Sequence, residues 1–247
     1  MDPNTIALPV TPTAAPSCGT SALQRMRAWV PIRTLGERHR VAVRAHLLAL
    51  GAHDRQLRFG YALSDERLQA YAAQLDFERD QIFGTFNRRL RLVALGHMAL
   101  GRIAVGHMAA EHMKAGHTAS GHTALGMTAD TDSASGHGEL GLSVLSLARG
   151  RGLGTRLFEH AVMHGRNRGV HTLHIHLARE NMPMLAIVQR AGAHIDTTGS
   201  EALAVLPLAG ETLGTQIGEL LGERAAALDF RLKVQTLREP TPSQGPV

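Results

Sequence analysis

A glycine-rich turn is the part of this sequence whose residue types point most directly to chemistry. The turn reads Arg-Gly-Arg-Gly-Leu-Gly-Thr and lies between a predicted strand and a predicted helix. The first N–H groups of a helix have no intrahelical acceptors, and the helix dipole favours negative charge there. Glycines allow the backbone to approach a bulky anion, and the arginines add positive charge. We therefore predict a diphosphate site formed by Arg149, Gly150, Arg151, Gly152, Leu153, Gly154 and Thr155.

The spacing of the glycines distinguishes between three kinds of phosphate-binding loop. A Walker A loop requires Gly-x-x-x-x-Gly-Lys-Ser/Thr, which the sequence does not contain. A Rossmann loop requires Gly-x-Gly-x-x-Gly and an acidic residue ending the next strand, whereas that strand here ends in His176-Leu177-Ala178. The third pattern, Arg/Gln-x-x-Gly-x-Gly/Ala, is the pyrophosphate loop of acyl-CoA N-acyltransferases. Arg149, Gly152 and Gly154 satisfy it, and a turn that binds no ligand is the alternative.

Strands and helices alternate along the chain that must position this turn. Hydrophobic alternation and turn residues predict strands at 30–34, 81–86, 90–99, 140–147 and 171–178, with one or two more within 194–208. Helical periodicity predicts helices at 37–50, from 64 onwards, and at 152–168, 181–191 and 215–234. This alternation predicts a mixed α/β fold. The strands at 140–147 and 171–178 should be parallel and joined by a right-handed crossover.

A second motif follows the strand at 171–178. From Asn181 onwards the sequence fits N-x-x-A-x-x-L-Y-x-x-x-G-F in register, with Met184, Ile187 and Gly192 at the Ala, Leu and Gly positions. With this motif, the loop and the order of elements, the chain resembles the GNAT superfamily of N-acyltransferases. The resemblance implies an α/β fold with a mixed central sheet, splayed parallel strands and flanking helices.

The sequence departs from this pattern at two positions. Val188 stands where the family often has Tyr, and Ala193 stands where it often has Phe. In the family that Tyr commonly protonates the leaving CoA thiolate. Water or another donor must therefore serve here.

The N-terminal half carries a narrower resemblance. The stretches at 54–59, 63–66 and 76–80 look like the acetyltransferase domain of bacterial Pat-type protein lysine acetyltransferases. In that group a Glu lies ten residues before the pyrophosphate loop, and Glu139 has this spacing from Arg149. Together the two resemblances cover roughly residues 30–100 and 139–208.

The resemblance implies direct acetyl transfer from acetyl-CoA, a co-substrate, to an amine. The pantetheine arm should lie between the splayed strands and pair with the backbone of Leu142, Ser143 and Val144. Because the ordinary pKa of lysine is about 10.4, the reaction needs a general base. Glu139 is the first candidate, and an exposed glutamate at a strand end is the alternative.

Two further residues are candidates for the site. His176 lies five residues before Asn181, where some family members carry their base, although histidines along a strand are usually structural. Asn181 is predicted to bind the pantetheine, to cap its helix, or both.

The sequence supports two classes of function. The first is an acetyl-CoA-dependent N-acetyltransferase acting on a protein lysine or a small primary amine. The second is a non-catalytic acyl-CoA-binding regulatory module, which the residue at Val188 keeps open. A protein substrate and a homodimer are both compatible with the sequence, since the helix at 215–234 offers an apolar stripe to a partner.

A histidine-rich segment at about 101–138 interrupts the predicted strands. Its histidines recur every five residues, a spacing that suits metal ligands on neither a helix nor a strand. The recurring histidines are His107, His112, His117 and His122. We therefore predict a low-complexity insertion without a metal site.

Composition sets the remaining bounds. Hydrophobic content is 44%, which is enough for a core. Net charge is +5, but the arginines are spread along the chain, so nucleic acid is not expected as a partner. No apolar run approaches the ~18 residues of a membrane span, and no secretory signal is recognised. The single cysteine, Cys18, fits a reducing cytoplasm. We predict a disordered arm at 1–30, one GNAT domain at 31–238, and a disordered tail at 239–247.

Overall fold

A mixed seven-stranded sheet organises the chain. The computed structural model describes residues 31–101 and 136–238; the predictions for 1–30, for most of 101–138 and for 239–247 lie outside these residues. The strands are β1 (Arg33–Thr34), β2 (Gln81–Phe86), β3 (Leu92–Leu100), β4 (His137–Val144), β5 (Thr172–Ala178), β6 (His194–Thr198) and β7 (Glu201–Pro207). Their order in the sheet is β1-β2-β3-β4-β5-β7-β6. All neighbours are antiparallel except β4 and β5, which are parallel.

Helices cover both faces of the sheet. They are α1 (Arg40–Leu48), α2 (Ala52–Phe59), α3 (Asp65–Gln74), α4 (Leu153–Asn167), α5 (Met182–Arg190) and α6 (Leu213–Arg238). On one face α4 buries Leu157 and Phe158 against the central strands. On the other, α1 and α3 bury Leu47 and Leu68 in a second apolar cluster. The mixed α/β fold predicted from the sequence is therefore confirmed.

The parallel pair β4 and β5 is joined only at its beginning. Paired positions run from His137 with Thr172 to Glu139 with His174. Beyond Glu139 the strands part, although β4 continues beside β3 to Val144 and β5 continues beside β7 to Ala178. The edge of β4 that faces β5 therefore has no strand partner after Glu139. This confirms the predicted splayed pair.

Several element boundaries differ from those predicted. The helix expected at 37–50 begins as a short 3₁₀ turn, Glu37–His39, before α1, and α2 was not predicted. The strand expected at 140–147 begins at His137 and ends at Val144, because Ser146–Ala148 form another 3₁₀ turn. The strand expected at 90–99 begins at Leu92, since the Asn87 side chain accepts the N–H groups of the preceding turn.

The C-terminal helix α6 is longer than predicted. Its inward side mixes polar and apolar contacts: Glu219 contacts His164 of α4, Phe230 packs edge-to-face on Phe86 at 5.3 Å, and Lys233 donates to the Phe86 carbonyl. The leucines of this helix and Ile217 are exposed. These exposed residues are Leu213, Ile217, Leu220, Leu221, Leu228, Leu232 and Leu237. None of the described helices has the length and apolar character needed to cross a membrane.

Candidate acetyl-CoA site

The glycine turn has the backbone conformation that its sequence requires. After Ser146–Ala148, Gly150 and Gly152 have φ angles of +73° and +71°, values that L-residues rarely adopt. A Cβ at either position would meet nothing within 4 Å, so the conformation rather than a lack of space selects glycine. Helix α4 begins immediately afterwards at Leu153. The turn therefore directs the chain from the splayed end of β4 into the first turn of α4.

The N–H groups of this turn are available to a ligand. The first intrahelical hydrogen bond of α4 is made by the N–H of Arg156, which donates to the Gly152 carbonyl at 3.1 Å. For residues 150–155, no acceptor of these N–H groups lies within the parts of the chain that the structure describes. Consecutive free N–H groups at a helix N-terminus form an anion cradle. Residues 150–155 therefore form such a cradle within the described part of the chain, and their binding of a diphosphate stays a prediction.

Arg149 is positioned differently from the rest of the turn. Its Nη2 lies 2.5 Å from Asp54 Oδ1 on α2, and its Nε donates to the Val144 carbonyl at 3.2 Å. The side chain thereby ties the end of β4 to α2. Arg151 is exposed and carries positive charge beside the cradle.

A cleft opens where β4 and β5 part. It is lined by Leu57, Arg58, Leu140, Gly141, Leu142, Ile175, His176, Leu177, Asn181 and Met184. Arg58 of α2 lies directly over the backbone of Gly141, because a Cβ there would stand 1.9 Å from its Cζ. Only glycine permits this approach. The sequence pattern did not single out Arg58, which brings a cation into the middle of the cleft.

Glu139 stands where the two strands separate. It is half-buried, pairs with Ala99 of β3 and His174 of β5, and shares a sheet face with Gly141. Its charge reaches Tyr71 of α3. Burial raises the pKa of that phenol, and the charges of Glu139 and Asp80 raise it further, while Arg58 opposes them.

His176 lines the cleft from β5. It is exposed and follows His174 on the same face of β5. Burial lowers the pKa of His174, and the neighbouring His137 and His176 lower it further. His137 Nδ1 lies 3.3 Å from His174 Nε2, so two imidazoles are in contact where β4 and β5 are still paired.

Asn181 caps helix α5. Its Oδ1 accepts the N–H of Met184 at 3.2 Å, and its Nδ2 donates to the Leu57 carbonyl at 3.5 Å. It also lines the cleft, so capping and a contact with a ligand are compatible. Val188 is fully buried in the core, and it presents no proton donor to the cleft.

Of the β4 residues, Ser143 directs its side chain away from the cleft. Its hydroxyl donates to His46 Nε2 at 2.8 Å, and His46 Nδ1 donates to the Leu92 carbonyl at 3.0 Å. Burial lowers the pKa of His46 to about 4, which keeps the imidazole neutral and suited to these roles. The Ser143 side chain is therefore engaged with α1, while Leu142 lines the cleft.

The sequence interpretation missed a polar chain beside Glu139. Tyr71, which the helical pattern places in an apolar stripe, donates to His97 of β3, and His97 contacts the buried Asp80. The detectable signal was a histidine within the apolar run of β3. Within the described residues, no group of three or more His, Cys, Asp or Glu side chains is arranged to hold a metal.

Comparison with known proteins was made for both sequence and structure. The model of the "Acetyltransferase (GNAT) family" matches residues 52–193, more than half of the chain. No curated protein matches the sequence. Among solved structures, the GNAT domain of S. lividans PAT superposes with a TM-score of 0.51 at 16% identity, covering 72% of this chain and 89% of that one.

Two further structures show weaker likeness. An N-acetyltransferase from Staphylococcus aureus Mu50 has a TM-score of 0.48 at 12% identity, covering 72% of this chain and 98% of its own. YncA from Salmonella typhimurium, solved with acetyl-CoA, has a TM-score of 0.46 at 10% identity, covering 74% and 96%. At such identities the structural likeness shows the fold alone. The match over residues 52–193 shows more: the chain belongs to the GNAT acetyltransferase family.

Proposed function

We propose that this chain is an N-acetyltransferase that moves an acetyl group from acetyl-CoA to a primary amine. The observation that carries the proposal is the continuity of the cleft with the anion cradle. Strands β4 and β5 part after Glu139, and β4 leads directly into the free N–H groups at 150–155. A ligand with an extended arm and a diphosphate fits this arrangement.

In this proposal, backbone groups of the turn and of β4 hold acetyl-CoA, the acetyl donor. The diphosphate binds the N–H groups of 150–155, and Arg151 adds charge. The pantetheine arm extends along the unpaired edge of β4 beside Leu142, Ser143 and Val144, with Asn181 at the opposite side. The thioester then lies near Gly141 and Glu139. Backbone N–H groups of β4 are suited to hold the oxyanion that forms on attack.

Glu139 acts as the general base in this proposal. The acceptor arrives as an ammonium, which cannot attack a carbonyl until it loses a proton. Glu139 is half-buried at the point where the strands separate, within reach of an amine that enters beside the thioester. His176 is the second candidate, because it lines the cleft from β5, the strand that parts from β4 after Glu139.

The acceptor is a protein lysine or a small primary amine. The half-buried carboxylate of Glu139 lies where the strands part, and its charge acts on Tyr71. Negative charge at this point favours a cationic acceptor. The resemblance of 54–59, 63–66 and 76–80 to Pat-type enzymes favours a protein lysine.

A non-catalytic acyl-CoA-binding module is the second candidate function. The observation that favours it is the burial of Val188, which supplies no proton for a leaving thiolate. Such a module would need the cradle and the cleft but not Glu139.

One experiment separates the two functions. Acetyl-CoA binding is measured by calorimetry, and release of CoA thiol is followed with a thiol reagent across a panel of small amines and lysine peptides. An enzyme binds acetyl-CoA and releases thiol only when an accepted amine is present. Binding with no amine-dependent release over the whole panel would support the regulatory module.

We also infer a cytoplasmic location from the single cysteine and a homodimer from the exposed leucines of α6. Sedimentation velocity should then give twice the mass of one chain. Leu220→Glu together with Leu221→Glu should return the mass of a monomer, and a monomeric parent would contradict the inference.

A further inference from the structure

Three polar residues beside the cleft form a continuous hydrogen-bonded chain. The Tyr71 hydroxyl of α3 lies 2.7 Å from His97 Nδ1, and His97 Nε2 lies 3.1 Å from Asp80 Oδ2. Asp80 is also held by Arg79, whose Nε donates to Oδ1 at 2.8 Å. Helix α3, strand β3 and the segment before β2 each contribute one member. The chain is thus built by the tertiary fold.

The direction of the protons in this chain follows from the state of Asp80. Burial tends to raise the pKa of Asp80, but hydrogen bonds from His97 and Arg79 outweigh it and lower that pKa to about 2. An ionised Asp80 only accepts, so His97 Nε2 carries the proton that points at it. In the neutral imidazole Nδ1 is then the acceptor, and Tyr71 donates its O–H to it.

The far end of the chain lies beside two residues that line the cleft, Arg58 and Gly141. His97 pairs with Gly141 across the β3–β4 ladder, and Arg58 lies over the Gly141 backbone. Arg58 also hydrogen-bonds the Tyr71 oxygen, and the charge of Glu139 reaches the same phenol. The Tyr71 oxygen therefore lies between the imidazole and the guanidinium, at the part of β4 where the proposed thioester would be held.

We propose that Tyr71 shuttles a proton from the attacking amine to the departing CoA thiolate, with His97 and Asp80 as its positioning residues. The inference rests on the proposed acetyltransferase function. The amine must lose two protons: Glu139 takes the first before attack, and the second leaves the nitrogen once the C–N bond has formed. Tyr71 handles this second proton.

The shuttle balances its protons and bonds. As the new C–N bond forms, the nitrogen passes its proton to the Tyr71 oxygen, while the proton of that hydroxyl moves to His97 Nδ1. Asp80 stabilises the resulting imidazolium. When the C–S bond breaks and its electron pair stays on sulfur, Tyr71 donates to the sulfur and recovers a proton from His97. This route supplies the donor that Val188 does not.

The chain contains two tyrosines, which provides a matched control. Tyr71→Phe removes the hydroxyl but keeps the ring that packs edge-to-face on Phe59 at 5.3 Å. Tyr61→Phe makes the same chemical change at the other position. His97→Gln keeps a polar side chain that cannot accept a proton as imidazole does.

The test measures kcat and KM for acetyl-CoA with a lysine peptide and with hydroxylamine, which is largely uncharged at neutral pH. Tyr71→Phe should lower kcat at least tenfold with both amines and leave KM for acetyl-CoA within twofold, whereas Tyr61→Phe should resemble the parent. The fall in kcat caused by Glu139→Gln should be much smaller with hydroxylamine than with the lysine peptide, because hydroxylamine needs no initial deprotonation. A double variant, Tyr71→Phe with His97→Gln, should be no slower than the slower single one.

Several outcomes would overturn the shuttle. Parental kcat in Tyr71→Phe, with the parent active, refutes the shuttle and leaves the proposed function standing. Losses of kcat that multiply in the double variant indicate separate structural roles for Tyr71 and His97 and refute the shuttle. An equal loss of kcat in Tyr61→Phe refutes it as well. If Tyr71→Phe does not fold, a parental kcat in folded His97→Gln refutes it instead. A parent that releases no thiol with any amine refutes both proposals.

Discussion

At the scale of single residues, Glu139 is the position where the proposed mechanism is most exposed to test. Glu139→Gln keeps the size of the side chain but removes its ability to accept a proton. We expect kcat to fall by about 10² to 10⁴, a typical contribution of general-base catalysis, with little change in acetyl-CoA affinity. The loss should shrink at high pH, where more of the amine is already neutral.

His176→Gln serves as the comparison for Glu139→Gln, because His176 lines the cleft that opens after Glu139. Steady-state kinetics between pH 7 and 10 should show a much smaller loss for His176→Gln. A larger loss of kcat in His176→Gln than in Glu139→Gln would indicate that His176 of β5 is the general base.

The anion cradle can be tested at Gly154. This glycine has no positive φ angle, and a Cβ there would stand 3.6 Å from Ile187 Cδ1, an ordinary contact. Gly154→Glu should therefore fold, while it brings negative charge to the diphosphate. We expect acetyl-CoA affinity to fall at least tenfold, about 1.4 kcal/mol, by calorimetry.

Gly154→Gln is the matched control for the charge, since it has the same size without the carboxylate. The difference in affinity between the Glu and Gln variants should narrow as salt is added, because screening weakens charge repulsion. Equal affinities of Gly154→Glu and the parent would contradict a diphosphate site in this turn.

At the scale of elements, the sequence predicted those strands, turns and helices whose structure depends on the residues of one segment. The strand, glycine turn and helix around 149–155 were predicted within a few residues, because hydrophobic periodicity and glycine placement act within one segment. Helix α2 was missed because its eight residues, Ala52–Phe59, are mostly polar and only Phe59 is buried. Its place depends on tertiary contacts such as that of Asp54 with Arg149.

The candidate site divides in the same way. Glu139 and the cradle residues follow motifs of fixed spacing, so the sequence could indicate them. Arg58, Tyr71, His97 and Asp80 come from four segments, and only the packing of α2 and α3 on β3 and β4 brings them together. No spacing along the chain encodes that contact.

His46 of α1 hydrogen-bonds Leu92 of β3 and Ser143 of β4. Because this imidazole is buried, the free energy of unfolding should depend on pH. Its pKa is lowered from 6.5 to about 4 by burial, so the unfolded chain binds the proton more readily than the folded one. Its stabilising contribution is complete above about pH 6.5 and is lost as pH falls towards 4. Between pH 7 and pH 5 we expect a loss of about 2 kcal/mol in the free energy of unfolding from this residue.

Urea unfolding at the two pH values measures this loss. His46→Gln lowers stability at pH 7 but should lose about 2 kcal/mol less than the parent between pH 7 and pH 5. His53→Gln, at an exposed position on α2, should keep the parental difference. An unchanged pH dependence in His46→Gln would show that the buried imidazole is not the group that titrates.

At the scale of the whole molecule, the question is whether the site depends on the histidine-rich segment. The segment joins β3 to β4, and these strands are adjacent up to the pair Leu100 and Gly138. Gly101 donates its N–H to the His137 carbonyl at 3.0 Å, and Gly101 and Gly136 both have positive φ angles. The two ends therefore already meet in a geometry that a short turn can close.

Replacing residues 102–135 with a four-residue Gly-Ser turn should preserve folding and acetyl-CoA turnover. Loop-closure entropy changes by only about 0.6 kcal/mol for each doubling of loop length, so the melting temperature should stay the same or rise slightly. A Gly-Ser segment of the original length is the control that separates length from sequence. If both variants fold but lose turnover, the histidine-rich sequence itself takes part in catalysis or acceptor binding. If only the short turn loses turnover, the length of the connection matters for the position of Glu139, because β4 begins where that connection ends.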